Sequence, residues 1–192
     1  MAWDKLIPMS RTNSRLVILL ILLLIFVIYR VTRQPSPRPE QNSSTTLRVG
    51  PPEIYPDPIR TPGIANPDIT QENIKDTICN PNWSTKSIRP PESYTHDLKV
   101  RQIREYGYAD TNLRDYEEDH LIPLEVGGNP TDPRNLWPEP YQTSISDGGA
   151  HYKDKVENYL HEQVCAGRIS LQDAQHEIAK DWYNVYVNSI PH

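Results

Sequence analysis

The chain has 192 residues, 36% hydrophobic and 23% charged, with 20 Lys/Arg against 25 Asp/Glu for a formal charge of -5. That length holds one globular domain or two small ones and excludes a large multidomain enzyme. One long apolar run and no glycine-rich phosphate motif exclude a polytopic membrane protein and a Rossmann or kinase fold.

The first element is the apolar run Leu16 to Tyr29, LVILLILLLIFVIY, with Lys5, Arg11 and Arg15 before it and Arg30, Arg33 and Arg38 after it. As a helix it measures about 21 Å, short of the roughly 30 Å hydrocarbon core, and snorkelling arginines close part of that gap. The segment after Ile28, YRVTRQPS, offers no small-residue cleavage site. Residues 1–33 are therefore expected to be a signal anchor touching the membrane through residues 16–29, with cleaved export and a buried helix of a soluble protein as the alternatives. Basic residues on both flanks leave its orientation undecided by the positive-inside rule.

Twelve of the 19 prolines lie between Pro35 and Pro91. Proline fixes a backbone torsion and removes a donor, so residues 34–76, with no helical or alternating pattern, are expected to form an extended, semi-rigid spacer. The foldable part is then residues 77–192. The only two cysteines, Cys79 and Cys165, lie one near each end of it, with no C-x-x-C to suggest zinc or redox chemistry. A disulfide between them fits an oxidising compartment; two unrelated buried thiols are the alternative. The expected location is a single-pass anchor in the inner or plasma membrane, with the C-terminal domain outside the cytoplasm.

After Pro90 and Pro91, Leu98, Val100, Ile103 and Tyr106 lie largely on one side of a short helix that Ser93 or Thr95 caps and Gly107 ends. Its other face bears Lys99, Arg101 and Arg104, with Lys86 and Arg89 upstream, a candidate phosphate-contacting patch. Ala150 to Cys165 reads as a helix with Val156, Tyr159, Leu160 and Val164 inward and Gly167 past its end. Ser170 opens a last helix with Leu171, Ala174, Ile178, Trp182 and Val185 as its apolar stripe, making the two an antiparallel hairpin. Residues 1–33 carry +4 and residues 115–192 carry -9. The acidic C-terminal part argues against passive wrapping of nucleic acid and suits carboxylates that hold a hard cation.

Between these helices, alternation suggests a strand through His120, a turn at Gly127 and Gly128, and a returning strand around Asn135 to Trp137. Asp-His-x-x-Pro-x-x-x-Gly-Gly followed by Asn-Leu resembles the HNH nuclease signature. The stretch from Cys79 through Trp182, including IRPPESYT, DHLIPLEVGG, DPRNLWPEP, KDKVENYLH and ISLQDAQ, is similar to a group of small exported bacterial proteins described as HNH-like endonucleases. The resemblance implies an α+β fold: a ββα-metal finger with flanking helices, preceded here by the N-terminal apolar anchor helix. It implies His120 as general base and Asn135 as the amide that holds the loop and orients His120. It also implies Asp119 as ligand of a divalent metal, Mg or Mn, that polarises the scissile phosphate. Adjacent strand residues point to opposite faces, so the Asp119–His120 junction must be twisted or bulged for both to serve one site.

The chain departs from the family pattern where the helix returns a ligand to the metal. The nearest histidine, His151, comes 16 residues after Asn135. His151 and Asp154, three apart on one helical face, are the expected further ligands, with Asn158 third. A Cys79–Cys165 bridge would brace the domain in place of the C-x-x-C knuckles of many HNH proteins. Pro123, Leu136 and Trp137 are expected to pack, and His96, His161, His176 and His192 are assigned no role. The expected function is a metal-dependent endonuclease acting on DNA or RNA outside the cytoplasm. The competing class is a non-catalytic envelope interaction module on the same scaffold, and a third reading is metal-dependent hydrolysis of a different envelope substrate.

Overall fold

The computed structural model describes Ile18, Ile21, Leu22 and residues 52–191, and the chain divides into two units, residues 1–46 and 47–192. In the first unit Ile18, Ile21 and Leu22 are helical with exposed side chains. The rest of the expected anchor, and residues 34–51 of the expected spacer, lie outside the described residues. No helix among the described residues is long and apolar enough to cross a membrane.

The second unit has an α+β architecture of three helices and one two-stranded antiparallel sheet. Helix α1 (Glu92–Tyr106) starts directly after Pro91 with no side-chain cap. Ser93 and Thr95, expected as caps, fall inside its first turn, where the Thr95 hydroxyl donates to the Glu92 carbonyl at 3.1 Å. Gly107 ends the helix at φ 71°, the left-handed conformation glycine adopts without steric cost. The buried face of Leu98, Gln102 and Ile103 packs on the sheet.

Strands β1 (Tyr116–His120) and β2 (Leu136–Pro140) pair in one continuous register, from Tyr116 opposite Pro140 to His120 opposite Leu136. The chain between them folds back on itself through two short 3-10 turns, Leu124–Val126 and Pro133–Asn135. A Cβ at Gly128 would lie 1.7 Å from the Ile122 carbonyl oxygen, so this close approach requires glycine. Helix α2 (Ala150–Cys165) then packs against helix α3 (Leu171–Ser189), with Ser170 capping the Asp173 N–H at 3.0 Å. Helix α3 breaks at Asp181 (φ -164°, ψ 73°), whose carboxylate accepts from the Tyr55 hydroxyl at 2.5 Å and the Asn184 N–H at 3.0 Å.

The main departure from expectation is the N-terminal border of the domain. Residues 53–76, assigned to the spacer, form a strap that belongs to the core: Ile54, Tyr55, Ile69 and Ile74 are buried among Val156, Leu160, Ile178 and Trp182. The Trp182 indole donates to the Ile54 carbonyl at 2.8 Å, the Leu171 N–H to the Gln71 side chain at 2.7 Å, and Ala65 bridges to Gly128. Prolines do not prevent this, because the strap needs no ladder of its own. Its turns are closed locally, Asp57 accepting from the Ile59 N–H and Asn73 from the Thr70 N–H. Each buried isoleucine contributes about 1.5–3 kcal/mol. The disulfide between Cys79 and Cys165 is present, with Cα atoms 5.3 Å apart, and joins the chain just after the strap to the end of α2.

Candidate active site

Asn135 is fully buried, and its amide is saturated. Oδ1 accepts from the N–H of Ile122 at 3.0 Å and of Ile64 at 3.2 Å; Nδ2 donates to the carbonyls of Ile122 at 2.9 Å and Asn129 at 3.0 Å. One side chain thus clamps both limbs of the β1–β2 loop and pins the strap to it. The clamped loop presents the Pro130 carbonyl to His120 Nε2 at 3.0 Å. A carbonyl only accepts, so Nε2 carries the ring proton and Nδ1 keeps its lone pair. Burial lowers the His120 pKa, outweighing the Pro130 bond and the Asp119 charge, and keeps the ring neutral. The loop-holding role expected of Asn135 is what its bonds describe. Its four bonds all go to backbone groups of the loop and the strap.

His120, 5% exposed, lines a cleft of about 380 Å³ together with Arg89, His96, Lys99, Glu118 and Tyr141. Arg89 and Lys99 come from the basic patch read in the sequence. The Lys99 ammonium is anchored on the carbonyls of Leu113 at 3.0 Å and Tyr116 at 2.9 Å, which leaves one N–H. Glu118 shares the His120 face of β1, two residues away. Its buried carboxyl has no hydrogen-bond partner, and burial, reinforced by Asp119, pushes its pKa up to about 8. His96, assigned no role from sequence, also lines this cleft.

Asp119 faces the other way. The register runs unbroken through Asp119 opposite Trp137 and His120 opposite Leu136, with no bulge to bring the two side chains to one side. On its own face Asp119 meets Lys153 of α2. The lysine is fully buried, and its three N–H groups have three acceptors: Asp119 Oδ2 at 2.5 Å, the His120 carbonyl at 2.9 Å, and Glu157 Oε1. Glu139 of β2, also fully buried, places Oε2 4.0 Å away. Burial opposes the ammonium charge, but Asp119, Glu157 and Glu139 outweigh it and hold the Lys153 pKa well above its usual value. Burial likewise opposes the Asp119 charge, and the ammonium reverses the balance, holding that pKa low. Burial pushes Glu157 up to about 8 despite Lys153, and raises Glu139 well above the carboxylate range.

The helix ligands expected for a metal are not on this face. The buried positions of α2 are Ala150, Lys153, Val156, Leu160 and Val164, so the remaining candidates fall outside the stripe. His151 and Asp154 have side chains 74% and 54% exposed and face each other at 3.8 Å, and exposed Asn158 donates to the Asp154 carbonyl at 2.7 Å. Asp119, His151 and Asp154 therefore do not converge as a ligand set among the described residues, and Asp119 Oδ2 already accepts from an ammonium. These residues do not fit a divalent ion. Cys79, Cys165 and His161 do lie together, but the two sulfurs are bonded to each other and His161 Nε2 contacts the Ile78 carbonyl at 2.8 Å. That group braces the fold and offers no thiolate.

Lys153, Glu139 and Glu157 escaped the sequence reading, although a signal was there. A lysine at the second position of the stripe Ala150, Lys153, Val156, Leu160, Val164, with a glutamate four residues on, announces a buried cation that needs carboxylates. No protein-family model, curated protein or solved structure matches the chain.

Proposed function

We propose that the second unit is an HNH-like ββα finger that hydrolyses phosphodiester bonds of DNA or RNA with His120 as general base. The order β1, clamped loop, β2, α2 supports the finger assignment. The observation that carries the activity is the pairing of His120 Nε2 with the Pro130 carbonyl, which leaves a neutral imidazole with an accepting Nδ1 on a residue that lines a cleft with Arg89 and Lys99.

In this reading Nδ1 takes a proton from water as the water oxygen bonds to phosphorus, and the bond to the leaving oxygen breaks. Arg89 and the third N–H of Lys99 hold the phosphoryl oxygens, and the leaving oxygen takes its proton from solvent. No step runs through a divalent ion. The disulfide supports placing the unit in an oxidising, extracytoplasmic compartment, with residues 16–29 as its membrane anchor.

A second reading, a non-catalytic envelope interaction module, is favoured by one observation: Asp119 is engaged by Lys153. The two separate in one assay, in which the full chain is incubated with plasmid and with RNA, in Mg, Mn or chelator, beside His120→Ala. Cleavage lost in the variant supports the hydrolase; equal trace cleavage in both supports the module.

A further inference from the structure

On the helix side of β1 the family resemblance calls for a divalent cation between a strand carboxylate and a helix. The chain supplies a cation of its own there. Lys153 Nζ is fully buried and donates to Asp119 Oδ2, Glu157 Oε1 and the His120 carbonyl, with Glu139 Oε2 at 4.0 Å. Two of these bonds reach residues 33 and 34 positions away, so they tie α2 to β1 as a bridging metal would. One of them holds the backbone of His120 itself.

We propose that Lys153 is the resident cation of this site: its ammonium fills the cage of Asp119, Glu139 and Glu157, excludes a divalent ion from it, and positions His120 through its carbonyl. The inference builds on the site reading above only in taking Asp119 and α2 as the place where a metal would sit. An ammonium whose three N–H groups all have acceptors fills this cage, and a divalent ion reaches the same oxygens only where the ammonium is absent.

The test is Mn2+ titration of the full chain followed by electron paramagnetic resonance, a readout that needs no activity. Wild type and Asp119→Asn are expected to bind Mn2+ alike, any uptake being at surface carboxylates. Lys153→Ala opens the cage and is expected to gain a Mn2+ site about ten-fold or more tighter than any in wild type, lost again in Lys153→Ala/Asp119→Asn. Thermal melts of Lys153→Ala should rise with Mn2+, and those of wild type should not.

Wild-type Mn2+ binding that disappears in Asp119→Asn overturns the proposal, as does a folded Lys153→Ala that gains no site. If Lys153→Ala does not fold, the comparison of wild type with Asp119→Asn decides alone. A chain that cleaves no nucleic acid yet binds no Mn2+ through Asp119 defeats the hydrolase and leaves this inference standing. A chain that cleaves only with an Asp119-bound metal overturns this inference and the metal-free step, and leaves His120 as the general base of a hydrolase.

Discussion

Asp119 and His120 are neighbours in sequence and face opposite sides of β1, the first bonded to Lys153 at 2.5 Å and the second to the Pro130 carbonyl at 3.0 Å. The motif that names them together therefore serves two environments, one ionic and largely buried beneath α2 and one open to a cleft beside α1. Lys153 joins the two, since the same ammonium that neutralises Asp119 also holds the His120 backbone.

Asn135→Ala is expected to loosen both. The substitution leaves buried N–H and C=O groups of Ile122 unpaired, and each such group costs about 1–3 kcal/mol. A loss of about 3 kcal/mol or more in urea unfolding is predicted. In nitrogen NMR of the folded fraction, the His120 ring should lose its fixed Nε2–H tautomer. An unchanged tautomer would show that the clamp does not position the ring.

Stability is expected to fall as pH rises from about 6.5 to about 8. Glu118 and Glu157 are ionised in the unfolded chain above about 4.5 but stay protonated in the folded one up to about 8. The folded state then binds more protons, and stability declines by up to about 1.4 kcal/mol per pH unit for each group. His120, with its pKa below 6.5, acts in the opposite sense only under more acidic conditions, where the unfolded chain takes up the proton first. Melting temperatures across this range should drop in wild type and drop less in Glu157→Gln, whose amide oxygen can still accept from Lys153.

Removing residues 1–76 is predicted to unfold the protein, whereas a chain starting at Leu47 keeps its cooperative melt. The shorter form loses Ile54, Tyr55, Ile69 and Ile74 and uncovers Trp182. At about 1.5–3 kcal/mol for each large apolar side chain, that loss rivals the whole stability of a small domain. Circular dichroism melts of the two forms decide the matter.

Much of this fold was legible in the chain. Both strands, the two C-terminal helices and the cysteine pair follow from period, caps and spacing. The strap did not show itself, because Ile54, Ile69 and Ile74 are isolated among prolines and are selected by the groove they fill, not by any period of their own. Lys153 was hidden for a different reason. Pattern reading assigns lysine to the surface, and only the tertiary placement of Asp119, Glu139 and Glu157 makes its burial tolerable.

Reducing the Cys79–Cys165 bond reopens a sequence separation of 86 residues. The loop-entropy account puts the lost stability at about 4–5 kcal/mol. Cys79→Ser/Cys165→Ser should melt well below wild type under non-reducing conditions and match wild type melted in reductant. Equal melting temperatures with and without reductant would mean that the bond contributes nothing.

The most direct measurement of the central claim is the rate at which the full chain cleaves end-labelled RNA and DNA oligonucleotides in chelator, set against His120→Ala under the same conditions. Loss of a general base costs about 100-fold or more, so the account predicts cleavage by wild type, unaffected by chelator and reduced at least to that extent in the variant. Equal rates in the two proteins, or cleavage that vanishes when divalent ions are removed, would contradict it.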